Sequence, residues 1–243
     1  MADCLIDSGN TRAKFARRDG LGWQTLGAVD FDDPLFVEQA LQVLEAEPFQ
    51  SVYLASVSKG WRAERLEHFL ARIKLPVFQI ETLSTLGRLQ IAYPQPRQLG
   101  VDRFLGLLAA CDHAVPCVLL SFGSAVTLDI LHADGTHAGG LIAPSPEFQW
   151  QSMRDQFPGL FEGSGQARDL ANNTLDALAT GIEHQVLGMV NRVLAQAFVG
   201  TPGKLLVTGG AADSWFSRLP ECREAAPEII FQGMLSYIEL SGL

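Results

Sequence analysis

The segment LIDSGNTRAK at residues 5–14 gives the strongest indication of the fold. A short apolar run ends in Asp7, a turn with one glycine follows, and an alternating segment then leads to an Asp-Gly turn. These features predict a β-hairpin with a tight first turn. Gly9 would let an anion approach the backbone N–H groups, and Asn10 and Thr11 can donate hydrogen bonds. The hairpin is therefore a candidate phosphate-binding loop, and the alternative is an ordinary turn of polar residues.

The same order of features returns in the second half of the chain. Residues 119–125 (LLSFGSA) again run from a strand into a small loop with one glycine, and the next strand ends in an Asp-Gly turn. Gly9 and Gly123 lie about half the chain apart. We therefore predict an α/β protein of two duplicated domains, 1–115 and 116–243, each of which opens with a β-hairpin.

Apolar periodicity predicts alternating strands and helices around these hairpins. Apolar runs bounded by turn residues predict strands at 52–57, 77–80, 117–121, 125–131, 136–142 and 205–208. Helical spacing predicts helices at 36–44, 66–73, 101–110, 174–198 and 229–240, the last with or without a short strand before it. Asp33 and Pro34 are the predicted N-cap and first residue of the first helix.

Composition argues against several classes of protein. Of 243 residues, 47% are hydrophobic and 19% are charged, which suits a packed core rather than a disordered chain. The formal net charge of −9 argues against direct binding to nucleic acid. No apolar run reaches the ~18 residues of a membrane span, no basic segment of a signal peptide is present, and the four cysteines lack CxxC spacing. We therefore expect a cytoplasmic protein that binds neither membranes nor nucleic acid.

Two further segments could carry chemistry. Gly209 and Gly210 follow an apolar strand and would let a flat ring such as adenine lie against the backbone, although a strand-to-helix turn needs glycine as well. Asp102 lies in the first turn of an apolar helix. It could cap the helix, or act as a general base beside the anion-binding Arg103.

Six segments, in chain order, resemble motifs of the type III pantothenate kinases. They are the D-x-G-N-T-x-x-K motif at residues 7–14, Tyr93 with G-x-D-R at 100–103, the second phosphate motif at 123–129, G-G-x-I-x-P at 139–144, T-x-x-A-x-x-x-G at 174–181 and T-G-G at 208–210. Together they extend over essentially the whole chain.

The resemblance implies the fold of the acetate and sugar kinases and actin-like ATPases. That fold has two ribonuclease-H-like domains with the nucleotide cleft between them. The implied reaction is the ATP-dependent phosphorylation of pantothenate to 4'-phosphopantothenate, the first step of coenzyme A biosynthesis. The family is cytoplasmic and homodimeric, and it uses Mg²⁺ together with a monovalent cation, K⁺ or NH₄⁺.

Carried over residue by residue, the resemblance implies that Asp102 takes the proton from the substrate hydroxyl. The residues implied to hold pantothenate are Tyr93, Gly100, Val101, Asp102, Arg103 and, from the neighbouring subunit, Thr174. Those implied to bind ATP are Asp7, Ser8, Gly9, Asn10, Thr11, Arg12, Ala13, Lys14, Ser124, Gly209 and Gly210. Asp7, at the end of a strand, is also a candidate to order a water bound to Mg²⁺.

The chain departs from the family pattern at Ser121, where the family has an aspartate that ligates the monovalent cation. A serine hydroxyl is a neutral, weaker ligand for a hard cation, so low or cation-independent activity is expected. Ser121 also favours a second hypothesis, a regulator of the Bvg accessory factor type that keeps the kinase fold without catalysis. A third hypothesis is a kinase or phosphatase of the same superfold with another substrate, since only Tyr93, residues 100–103 and Thr174 indicate pantothenate.

Overall fold

The computed structural model describes residues 2–20 and 22–243. It divides into two compact units. The first comprises Met1–Asp112 and Glu228–Leu243, and the second comprises His113–Pro227.

The first unit is built on a five-stranded sheet with the order β3-β2-β1-β4-β5. Strand β1 runs antiparallel to β2 and parallel to β4. The elements are β1 (Ala2–Ser8), β2 (Arg12–Asp19), β3 (Gly22–Asp30), α1 (Phe36–Glu45), β4 (Phe49–Ser56), α2 (Trp61–Leu70), β5 (Val77–Gln79), the small pair β6 (Thr85–Leu86) and β7 (Leu89–Gln90), α3 (Val101–Ala110) and α7 (Ile229–Ser241).

The second unit repeats this topology with the order β10-β9-β8-β11-β12. Strand β8 is again antiparallel to the next strand of the chain and parallel to β11. The elements are β8 (Cys117–Phe122), β9 (Ala125–Leu131), β10 (His137–Pro144), α4 (Pro146–Gln156), α5 (Thr174–Ala197), β11 (Lys204–Thr208), α6 (Ala212–Phe216) and β12 (Arg223–Ala225). The same strand order and directions in both units confirm the predicted α/β class and the duplication.

The last helix belongs to the first unit, whereas the sequence placed all of 116–243 in one C-terminal domain. Helix α7 packs on α3 at very short range: a Cβ at Gly233 would lie 2.1 Å from the Leu105 carbonyl oxygen. The rings of Phe104 and Tyr237 also meet edge to face, with centroids 6.3 Å apart. The apolar side of α7 is therefore buried against α3, which lies much earlier in the chain. The apolar periodicity of α7 cannot show which element it packs against.

The first helix begins two residues later than the predicted Asp33-Pro34 start. Asp33 accepts a hydrogen bond from the Leu35 N–H at 2.8 Å, so its side chain stabilises the turn before α1 instead of capping the helix. Across residues 2–20 and 22–243, none of the helices has both the length and the hydropathy that a membrane span requires.

Candidate functional site

The turn between β1 and β2 is closed by its own backbone. The Gly9 N–H donates to the Arg12 carbonyl oxygen at 3.1 Å, and the Phe31 N–H donates to the Thr11 carbonyl oxygen at 2.9 Å. Asn10 and Thr11 are exposed. The predicted loop is therefore a pre-formed turn with polar side chains on its surface.

Two of the residues predicted to bind ATP have structural contacts of their own. The guanidinium of Arg12 pairs with Asp30 at 3.3 Å on the surface. The Ala13 side chain is completely buried in the core of the first unit. Ala13 can therefore reach a ligand only through its backbone.

Ser58 stabilises the first loop by hydrogen bonds, a role that the sequence did not indicate. Its hydroxyl lies 2.9 Å from the Ser8 hydroxyl and donates to the Gly9 carbonyl oxygen at 2.7 Å. The contact arises because β4 is parallel to β1, so that both strands end at the same edge of the sheet. A serine directly after an apolar strand was the available signal, but only the sheet order shows which loop it meets.

Asp7 is the second-last residue of β1, and it pairs in register with Lys14 on β2. Burial raises the pKa of the Asp7 carboxyl to about 6, and the nearby Asp102 carboxylate also raises it, while Lys14 acts in the opposite direction. Part of the side-chain surface remains accessible. The fold thus holds two acids close enough to repel each other, the kind of arrangement found where a cation or a proton is handled.

Asp102 lies at the start of α3, but it is not the N-cap. One carboxylate oxygen, Oδ1, accepts a hydrogen bond from the Arg103 N–H at 2.8 Å, and the N-cap position belongs to Gly100. A Cβ at Gly100 would lie 2.5 Å from this same oxygen. The glycine therefore leaves room for the carboxylate in the orientation that the structure gives it.

Arg103 and Tyr93 form a pair beside this carboxylate. The Arg103 guanidinium donates to the Tyr93 hydroxyl at 3.3 Å and lies 5.9 Å from the centre of its ring. Arg103 is only 7% exposed, and Val101 is buried as well. The predicted substrate residues at 93 and 100–103 are thus brought together in the first unit, around one half-buried acid.

In the second unit, the turn between β8 and β9 is also closed by the N–H of its glycine, but it is one residue shorter than the first. The Gly123 N–H donates to the Ala125 carbonyl oxygen at 3.0 Å, and Ser124 is exposed. Ser121 pairs in register with Thr127 on one side and Thr208 on the other. Three hydroxyl-bearing residues therefore lie side by side at the position where the motif resemblance implies a carboxylate.

The turn after β11 approaches this second hairpin very closely. Gly209 has φ +100°, and a Cβ there would lie 2.4 Å from the Phe122 carbonyl oxygen. The same oxygen accepts a hydrogen bond from the Ala211 N–H at 3.2 Å. A Cβ at Gly210 would meet no atom within 4 Å. Gly209 is therefore required by backbone geometry, and Gly210 leaves open surface next to it.

Thr174 is the first residue of α5 and is exposed. The preceding Asn173 caps the helix by accepting a hydrogen bond from the Asp176 N–H at 2.9 Å. Asp176 in turn accepts from the Gln166 N–H at 2.7 Å and the Arg168 side chain at 2.9 Å, and these bonds lower its pKa to about 2. The helix start that carries Thr174 is therefore firmly held.

The second unit contains a buried pair of titratable side chains. His137 lies 3.0 Å from Asp129, and both side chains are completely buried between β9 and β10. Over residues 2–20 and 22–243, no group of three or more His, Cys, Asp or Glu side chains is placed to hold a metal ion by itself. A metal at the Asp7 position would therefore need oxygen atoms from water or a ligand.

Comparison with known proteins gives one consistent result at the level of sequence. A model of the type III pantothenate kinase family matches residues 4–196. The type III pantothenate kinase of Xanthomonas campestris pv. campestris (strain B100) is 32% identical over 239 residues, which cover 98% of this chain and 97% of the relative. The enzyme of the same name from Stenotrophomonas maltophilia (strain K279a) is 31% identical over 236 residues, 96% of each chain.

Solved structures show the same fold at lower identity. A Campylobacter jejuni structure described as a Baf family transcriptional activator has a TM-score of 0.62 at 22% identity, over 98% of both chains. A Sinorhizobium meliloti structure described as a 2-dehydro-3-deoxygalactonokinase also has a TM-score of 0.62, at 12% identity over 99% of both chains. At these identities the likeness concerns the fold alone.

Proposed function

The chain belongs to the type III pantothenate kinase family, and on this premise we propose how its residues carry out the reaction. The protein is a kinase that transfers a phosphoryl group from ATP to pantothenate, in coenzyme A biosynthesis. The observation that carries the residue assignment is the cluster in the first unit, where Asp7, Asp102 and the Arg103–Tyr93 pair come together. We place the reaction in the cytoplasm, where ATP is supplied.

Asp102 is the proposed general base. The Arg103 N–H fixes one carboxylate oxygen at 2.8 Å, which orients the group, and Gly100 leaves space for it. Asp102 takes the proton of the pantothenate hydroxyl as that oxygen bonds to the terminal phosphorus of ATP, and the bond between this phosphorus and the bridging oxygen of ADP breaks. Phosphoryl transfer depends mainly on positioning and charge neutralisation, so one oriented base is sufficient.

Arg103 and Tyr93 are the proposed anchors of pantothenate. A guanidinium suits the carboxylate of that substrate, and the hydrogen bond to the Tyr93 hydroxyl holds the guanidinium in place. Gly100 and Val101 shape the backbone beside them. Thr174, exposed at the start of α5, is proposed to contact pantothenate bound to the partner subunit.

The two glycine hairpins are the proposed phosphate loops for ATP. In the first, the turn at residues 8–11 offers backbone N–H groups and polar side chains, with Lys14 as a nearby cation and Arg12 at its edge. In the second, Ser124 offers a hydroxyl on an exposed turn. Gly209 and Gly210 form the turn on which we place the adenosine.

The residues present fit a divalent cation at Asp7. Burial and the neighbouring Asp102 oppose the ionisation of this carboxyl, so a cation beside it would be stabilising. Carboxylate and water oxygens are the ligands that Mg²⁺ prefers. We propose that Asp7 holds Mg²⁺ through water, and the metal when bound would neutralise charge on the phosphates. Ser121 gives no carboxylate for K⁺ or NH₄⁺, so we propose weak or no dependence on a monovalent cation.

A homodimer is proposed on the surface of the second unit. None of the 11 residues of α4 is buried, and Phe148 on this helix is 62% exposed. Leu141 and Ile142 on the edge strand β10 are 46% and 66% exposed. Adjacent apolar residues of this size on an edge strand and a helix favour a protein partner. We expect a dimer by light scattering and a monomer after Ile142→Glu; a variant that stays dimeric would exclude this surface.

The test of the reaction is ADP release from Mg-ATP with and without pantothenate, in Na⁺, K⁺ and NH₄⁺ buffers. Pantothenate-dependent turnover supports the proposed roles, and similar rates in the three buffers support the interpretation of Ser121. Folded dimer without turnover in any buffer would favour the regulator hypothesis. Turnover with another acceptor alone would favour a different substrate.

A further inference from the structure

Two serine hydroxyls and one backbone carbonyl form a chain of hydrogen bonds beside the first phosphate loop. The Ser58 hydroxyl lies 2.7 Å from the Gly9 carbonyl oxygen and 2.9 Å from the Ser8 hydroxyl. The Ser8 carbonyl oxygen is farther from it, at 3.5 Å. A hydroxyl group carries one hydrogen. Because Ser58 gives its hydrogen to the Gly9 carbonyl oxygen, the hydrogen between the two serine side chains comes from Ser8.

The Ser8 side chain has no access to solvent. It is completely buried, although Asn10 and Thr11 in the same turn are exposed. A buried hydroxyl needs a hydrogen-bond partner, and Ser58 supplies one to Ser8. The Ser8 hydroxyl therefore cannot contact a nucleotide while the loop keeps this arrangement, and its effect on a bound nucleotide passes through Ser58.

The hydrogen bond from Ser58 fixes the orientation of one peptide group of the loop. The Gly9 carbonyl oxygen and the Asn10 N–H belong to the same planar peptide and point in opposite directions. Since Ser58 holds the oxygen, the N–H is directed to the other side. Within residues 2–20 and 22–243, no group accepts a hydrogen bond from the Asn10 N–H. The loop thus keeps one donor available on the side away from Ser58.

A flip of the same peptide would make the loop unfavourable for an anion. It would exchange the two groups and place the carbonyl oxygen where the N–H had been, and a phosphate is attracted by backbone N–H groups but repelled by carbonyl oxygens. Glycine and asparagine are the residues that most readily accept both sets of backbone angles. A Cβ at Gly9 would make only an ordinary contact, 3.6 Å from the Arg12 carbonyl oxygen. Neither residue type opposes the flip, whereas the hydrogen bond from Ser58 does.

We propose that Ser58 is a positioning residue for the phosphates of ATP. Its hydroxyl, oriented by the Ser8 hydroxyl, keeps the Asn10 N–H in the direction that binds an anion. Ser58 acts through the Gly9 peptide rather than by contact with the nucleotide. The inference rests on the proposed function, because it assumes that the turn between β1 and β2 is a phosphate loop. It predicts an effect on the phosphate end of ATP and none on the nucleoside or on pantothenate.

The test compares Ser58→Ala with Ser51→Ala by titration calorimetry in the presence of Mg²⁺. Ser51 is a matched control, since it lies on β4, the strand that leads to Ser58, and its hydroxyl donates to Asp3 at the opposite end of that strand, at 2.5 Å. The probes are the β,γ-imido analogue of ATP and adenosine, which lacks the phosphates. Ser58→Ala should weaken binding of the analogue roughly 2- to 12-fold, the factor that corresponds to one net hydrogen bond, and should leave adenosine unchanged.

The other variants separate the hydroxyl of Ser58 from its bulk and from the role of Ser8. Ser51→Ala should change the affinity of neither probe, and Ser58→Thr, which keeps the hydroxyl, should bind the analogue as the wild type does. Ser8→Ala should weaken the analogue in the wild type but add no loss to Ser58→Ala, because the two hydroxyls act in one chain. A further loss of the same size in the double variant would overturn the chain of hydrogen bonds.

Kinetics keeps this inference apart from the proposed reaction. In Ser58→Ala the KM for ATP should rise while the KM for pantothenate stays constant. Equal losses for adenosine and the analogue, or equal effects of Ser58→Ala and Ser51→Ala, would overturn the role of Ser58. Pantothenate-dependent turnover with unchanged analogue affinity in Ser58→Ala would also refute that role, but not the reaction. Analogue affinity that depends on Ser58, without such turnover, would refute the reaction and leave the role of Ser58 standing.

Discussion

Asp7→Asn should make the protein more stable at alkaline pH while it removes activity. The pKa of Asp7 is raised from 3.8 to about 6 by burial and by Asp102. An acid with a raised pKa in the folded state destabilises the fold wherever it is ionised, so the penalty is absent below pH 3.8 and complete above pH 6. Since each pKa unit is worth ~1.36 kcal/mol, the penalty at pH 8 is at most about 3 kcal/mol.

The asparagine has the same shape but no charge, so it should recover that free energy of unfolding. The gain should be about 3 kcal/mol at pH 8 and about half of that at pH 5, where the unfolded chain is ionised and the folded chain is mostly protonated. Urea unfolding followed by circular dichroism at pH 5, 6.5 and 8, without Mg²⁺, measures the difference. Asp32→Asn is the control, because it removes the same charge from an exposed position.

A gain that is the same at every pH, or a loss of stability at pH 8, would refute the reasoning. The activity of Asp7→Asn should fall in the same preparation, since the charge that strains the fold is the one proposed to hold Mg²⁺. A stabilised but inactive variant is the expected signature of a functional site that is held at a cost to folding.

Three other substitutions, the last with a matched control, test separate parts of the site. Asp102→Asn should abolish turnover and leave the Kd of a non-hydrolysable ATP analogue largely unchanged; near-normal turnover would exclude Asp102 as the base. Ser121→Asp should raise both activity and K⁺ dependence, seen as a K⁺-to-Na⁺ rate ratio above that of the wild type; an unchanged ratio would mean that the position holds no cation. Gly209→Ala should lower the free energy of unfolding by about 2–4 kcal/mol, because of its φ of +100° and the clash with the Phe122 carbonyl oxygen, whereas Gly210→Ala should change it by under ~1 kcal/mol.

The sequence predicts what is local. Both hairpins were predictable because strand alternation and a tight glycine turn lie within about ten residues. Helix α3 was predicted with its observed bounds, since nine of its ten residues are buried and the apolar signal is strong. Helix α4 has no buried residue and so carries no apolar stripe, and for this reason no helix was predicted there. The packing of α7 on α3 could not be predicted either, because the two helices come from separate segments of the chain within the first unit.

The candidate site divides in the same way. Asp7, Asp102 and the glycine turns could be predicted because their chemistry lies in short motifs. Ser58 could not, since its role follows from β4 being the parallel neighbour of β1. The buried Asp129–His137 pair also escaped prediction. Asp129 belongs to the second phosphate motif. Its pairing with His137 depends on the register of β9 against β10, which shifts between His137 and Gly139.

The two hairpins of the duplicated units differ at one position that decides whether a carboxylate is present to bind a cation. Asp7 and Ser121 hold the same place in their units, two residues before the turn glycine at the end of the first strand. In the first unit this position carries a carboxylate whose burial and neighbouring acid oppose its ionisation. In the second it carries a hydroxyl between two threonines, which can be buried without that penalty. The charge that can hold a cation at these paired positions therefore lies only in the first unit. This difference supports our proposals that Asp7 holds a divalent cation and that dependence on a monovalent cation is weak or absent.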